Sequence, residues 1–85
     1  MNLSDPVIEL NLHGMTVDEA ERKVDSAVKR AGSGVYTIRV IHGYNHGTAI
    51  RSMLHETYGR GYDRKVLRVR PGANPGITEL ILREM

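Results

Sequence analysis

The 85-residue chain contains no cysteine, no tryptophan and no phenylalanine. Without cysteine there is neither a disulfide framework nor a thiolate zinc site, and the chain fits a reducing compartment. With four tyrosines as its only aromatics, the core has to be built from Val, Ile, Leu, Ala and Met. No apolar run approaches the roughly 20 residues that cross a bilayer. The opening MNLSDPVIEL lacks the basic and apolar regions of a secretory signal. The chain therefore reads as one domain over residues 1–85, with 1–6 as a lead, in the cytoplasm. Charge of one sign is also scarce, the formal net value being +2. That balance permits a polyanionic partner without demanding one. The cations gather after residue 60, in GRGYDRKVLRVRPG, and the acids in TVDEAERKVD.

What is present is periodicity. VIELNLH (7–13) alternates, with Ile8, Leu10 and Leu12 on one face, and predicts a half-buried strand. Residues 16–32 place Val17, Ala20, Val24, Ala27, Val28 and Ala31 on one helical stripe. Thr16 and Glu19 there form a capping box, and Gly32 and Gly34 offer a stop. VYTIRVIH (35–42) is short and β-branched, a second strand. Residues 48–59 predict a second helix, with Ile50, Met53 and Leu54 inward. Residues 64–70 set Leu67 and Val69 against arginines, and 77–84 set Leu80 and Leu82 opposite Glu79 and Ile81. The order is β-α-β-α-β-β, an α/β (α+β) two-layer sandwich with a four-stranded mixed sheet and both helices on one face.

Strand–helix–strand crossovers make the joined strands parallel. The first three strands then end along one edge of the sheet, where ligands of open α/β sheets bind. His13-Gly14, His42-Gly43 and Arg70-Pro71 stand at those ends, so LHGM, HGYNHG and RPGANPG converge. The turn before the second helix adds glycines that let a phosphate approach the backbone, and a helix N-terminus. Arg51 in the first turn supplies a bidentate arm. Glu9, Asn11, Thr37, Arg39, Arg68 and Arg70 fall on the outer sheet face, and its arginines suit a polyanion.

LNLHG (10–14), VIHGYNHGTAIR (40–51) and PGANPGITELIL (71–82), in this order and spacing, resemble the Smr (small MutS-related) domain family over nearly the whole chain. The resemblance implies a sandwich similar to the C-terminal domain of translation initiation factor three. It also implies endonuclease chemistry, nicking or cleaving RNA or structured DNA, with branched or nicked DNA, RNA and the ribosome as partners and no membrane. A monomer is expected. Asn11 stands where the family carries Asp, and Asn45 where it carries a second Gly. Because Asn11 cannot hold a charge, a binding module without turnover is the alternative reading.

On this reading His13 and His42 share the acid and base roles that phosphodiester cleavage needs, with Asn11 beside them. Gly14, Gly43, Tyr44, Asn45, His46, Gly47, Arg51, Arg70 and Asn74 form the phosphate and nucleic-acid surface. Tyr44 is placed to stack on a base. The cofactor stays open: RNA carries its own 2′-hydroxyl nucleophile, whereas DNA hydrolysis usually enlists a divalent metal. A metal site built from His13, His42 and His46 is conceivable, but Asn11 replaces the carboxylate it would need and no metal ligands are assigned.

Overall fold

The computed structural model describes residues 5–44, 48–60 and 64–84. Six elements follow in the expected order: β1 (Val7–Asn11), α1 (Val17–Arg30), β2 (Thr37–Ile41), α2 (Thr48–Tyr58), β3 (Arg68–Pro71) and β4 (Ile77–Ile81). The sheet order is β1-β2-β4-β3. β1 and β2 are parallel, while β4 runs antiparallel to both β2 and β3. The three strands β1, β2 and β3 therefore point the same way, and their carboxyl ends share one edge.

Alternation decides which face is covered. Ile8, Ile38 and Leu80 lie in register across three strands, as do Leu10, Val40 and Thr78. All six are buried, and they meet Ala20, Val24, Ala27 and Val28 of α1 with Ile50, Met53, Leu54 and Tyr58 of α2. A helix the length of α1 is marginal alone in water, so this burial, at about 1.5–3 kcal/mol for a full aliphatic side chain, is what holds it. Both ends of α1 are also secured. Thr16 and Glu19 complete the capping box, Thr16 Oγ1 accepting from Glu19 N and Glu19 Oε1 from Thr16 N. At the other end Lys65 Nζ donates to the carbonyls of Val28, Lys29 and Ala31, at 3.0, 3.0 and 3.3 Å. The helix stops at Arg30 and Ala31, before the glycines expected to end it.

Two expected facings fail, one inward and one outward. Leu67 is 54% exposed, and Val66 takes the buried place instead. Regular pairing of β3 begins only at Arg68, so the alternation read across 64–70 does not apply to its first half. Ile81, assigned to the outer face, is nonetheless buried. It sits in register between Thr37 and Arg68.

The outer face differs most from the expectation. Glu9, Arg39, Glu79 and Arg70 stand in one row across all four strands. Arg39 donates from Nη1 to Glu9 at 3.3 Å and from Nε to Glu79 at 3.4 Å, and Arg70 Nε donates to Glu79 at 2.9 Å. Hydrogen bonds to Glu9 first, then Glu79, hold the Arg39 guanidinium above its ordinary range. Arg68 pairs with Glu84. The arginine face is thus neutralised by its own acids, and a polyanion has to compete with them.

Candidate functional site

The His13-Gly14 and His42-Gly43 pairs each end a parallel strand, and both glycines adopt φ +85°. That is left-handed backbone, which L-residues with a Cβ rarely enter. In the first pair Met15 N donates to Leu12 O at 3.0 Å, closing a four-residue turn with Gly14 third. Asn11 Oδ1 accepts from His13 N at 3.0 Å, so the asparagine orders the turn from its own side chain. The two pairs are joined because Leu12 N donates to Ile41 O at 2.8 Å.

The β3–β4 turn closes the rim. Asn74 O accepts from Ile77 N and its Oδ1 from Gly76 N, with Pro75 between. Gly76 O in turn accepts from both His42 N and Gly43 N, at 2.9 and 3.0 Å. The segments LHGM, HGY and RPGANPG do converge at the carboxyl edge. The Gly43 amide, expected to face a phosphate, is instead committed to Gly76.

Three layers are closely stacked here. A Cβ at Gly76 would lie 3.3 Å from Gly43 Cα, and a Cβ at Gly43 would lie 2.8 Å from His13 Cδ2. The His13 imidazole therefore rests on Gly43, and Gly43 rests on Gly76. His13 is exposed. Tyr44, next to Gly43 in sequence, is 59% exposed, an aromatic open to a planar partner. Gly14, Arg51 and Asn74 are exposed as well. Arg70 is exposed with its Nε committed to Glu79.

His42 has a different environment from its expected partner. It is 2% exposed, with Nδ1 2.9 Å from Gly43 O and Nε2 2.8 Å from Thr78 Oγ1. The alternation that buries Ile38 and Val40 continues one step past β2 and turns His42 inward, whereas His13 follows the inward Leu12 and faces out. With both ring nitrogens engaged, His42 offers no lone pair to a metal. Among the described residues no three His, Cys, Asp or Glu side chains stand together as ligands. His46, along with Asn45 and Gly47, lies outside the described residues. Thr78 is the site residue that the sequence reading did not single out. Its signal is a polar residue at an inward position of an otherwise aliphatic strand.

A groove of about 590 Å³ opens at the other end of the sheet, lined by Val35, Lys65, Leu67 and Leu82 among others. It contains none of the rim residues, and its Lys65 ammonium is occupied in capping α1.

Comparison with known proteins agrees with this geometry. The Smr domain family model matches residues 10–76, which include both His-Gly turns and the β3–β4 turn. A crystal structure of the Smr domain of Thermus thermophilus MutS2 is similar at a TM-score of 0.75 and 33% sequence identity. The match covers 91% of this chain and 99% of that one. No curated protein matches the chain. Smr domains are a nucleic-acid-binding family associated with nucleases, and no helix among the described residues is long and apolar enough to cross a membrane. A family model spanning most of the chain, and a fold shared over nearly its whole length, lead to one statement: this chain belongs to the Smr domain family.

Proposed function

We propose that the domain is an Smr-type endonuclease acting on phosphodiesters of RNA or structured DNA, with His13 as the group that exchanges protons with the substrate. The observation that carries this reading is the exposed His13 ring seated on Gly43, at the rim where three segments meet. On RNA, a neutral His13 imidazole takes the proton of the 2′-hydroxyl as that oxygen attacks phosphorus; the P–O5′ bond breaks, leaving a 2′,3′-cyclic phosphate, and the departing 5′-oxygen takes its proton from water. Asn11 serves by fixing the His13 backbone. His42 serves from beneath, holding the Gly43 carbonyl. Arg51, Arg70 and Asn74 are the groups for the phosphate, and Tyr44 for a base. Gly14 supports the turn that presents His13, and Asn45, His46 and Gly47 complete the phosphate loop in this proposal.

A second reading, nucleic-acid or ribosome docking without turnover, is favoured by one specific observation. Of the two histidines expected to act as a pair, only His13 is open, and the neighbouring Asn11 is uncharged. The two readings separate on purified protein given labelled single-stranded RNA and supercoiled plasmid. Cleavage by the parent and none by His13→Ala supports the endonuclease. Cleavage that survives in His13→Ala contradicts it. Salt-sensitive binding with no product supports docking.

A further inference from the structure

We infer that Thr78 is a positioning residue: its hydroxyl donates to Nε2 of His42 and so holds the ring with its proton on Nδ1, and that ring fixes the left-handed turn on which His13 rests.

The assignment follows from what each partner is able to do. A carbonyl oxygen only accepts, so the 2.9 Å contact between Nδ1 and Gly43 O requires the proton on Nδ1. In the neutral ring Nε2 is then a bare acceptor, and the Thr78 hydroxyl 2.8 Å away donates to it. The chain of donation runs from Thr78 to His42 to Gly43. Both side chains are buried, at 1% and 2% exposure, so neither is free to exchange its partner for bulk water. An inward Thr on β4 in register with Val40 costs desolvation unless it is bonded. His42, two residues beyond Val40, supplies the bond. The Gly43 carbonyl held in this way belongs to the residue whose φ is +85° and whose face carries the His13 ring. The same residue is held from the β3–β4 turn by Gly76 O. A valine at position 78 has the same shape but no hydroxyl, and so leaves Nε2 without its donor.

The ring nitrogens of His42 report this directly by long-range ¹H–¹⁵N correlation above neutral pH. Expected in the parent are a pyrrole-type Nδ1 and a pyridine-type Nε2. In Thr78→Val, Nε2 moves downfield as its hydrogen bond is lost, and the Gly43 amide and His13 ring signals shift with it. In Thr78→Ser the parent signals return. A proton on Nε2 in the parent overturns the inference. So does a folded Thr78→Val whose His42, Gly43 and His13 signals match the parent. If Thr78→Val does not fold, the parent tautomer and the Thr78→Ser spectrum still decide. The tautomer does not depend on cleavage, so a parent that cuts nothing refutes the proposed activity while leaving this measurement in force. Where the parent does cleave, Thr78→Val loses turnover rate and Thr78→Ser keeps it.

Discussion

Adding one methyl group at either His-Gly turn separates backbone strain from displacement of the histidine. Gly14→Ala and Gly43→Ala force alanine into the same φ of +85°. The left-handed penalty is about 1–2 kcal/mol in each case. For a domain of this size each kilocalorie lowers Tm by about 4–8 °C. The surroundings differ. A Cβ at Gly14 meets nothing within 4 Å, while one at Gly43 falls 2.8 Å from His13 Cδ2. Exposed His13 swings aside rather than forcing the core apart, so the two variants are expected to be destabilised alike within about 0.5 kcal/mol, the usual scatter for surface changes. Function diverges: Gly43→Ala loses nucleic-acid cleavage or binding well beyond Gly14→Ala. The assays are urea denaturation for stability, and RNA cleavage or binding at fixed salt for function. Equal functional loss in the two variants at equal stability would refute the seating of His13 on Gly43 as the basis of the site.

Three further outcomes follow from the same geometry. His13→Ala leaves stability within about 0.5 kcal/mol of the parent by denaturant melting, because the ring is exposed; a larger loss makes His13 a structural residue. Glu79→Ala removes the shared acceptor of Arg39 and Arg70, so the plot of log affinity against log salt for single-stranded RNA steepens by about one unit if Arg70 then reaches a phosphate; an unchanged slope places the outer face away from the nucleic acid. The Thr16 backbone N–H, then the Thr16 side chain, hold the Glu19 carboxyl below its ordinary pKa, so its contribution is present above the carboxylate range and lost as pH falls through the lowered value. Melts of the parent and Glu19→Gln should therefore differ at neutral pH and converge in acid, and a constant difference at every pH contradicts the capping box.

The periodic segments were legible because local alternation and capping residues define them. Ile8, Leu10 and Leu12 announce β1, and Thr16 with Glu19 announces the start of α1. The crossover rule gave the direction of three strands, and so the convergence of the two His-Gly turns with the β3–β4 turn. Insertion of β4 between β2 and β3 was not legible, since no local pattern encodes which edge a returning strand joins. The same gap hid the row of Glu9, Arg39, Glu79 and Arg70: from the sequence each arginine looks free, and only register reveals its acid. The inward turn of His42 was legible in principle, by carrying the Ile38–Val40 alternation one step further. The likeness of the two His-Gly pairs masks that difference in parity.

The most direct measurement is an amide-shift titration with a short single-stranded RNA at low salt. Shifts concentrated at residues 12–14, 42–44 and 70–76, with His13 ring signals moving alongside them, are the predicted result. Shifts confined to the groove around Val35, Lys65 and Leu82, with the rim unmoved, would contradict the account.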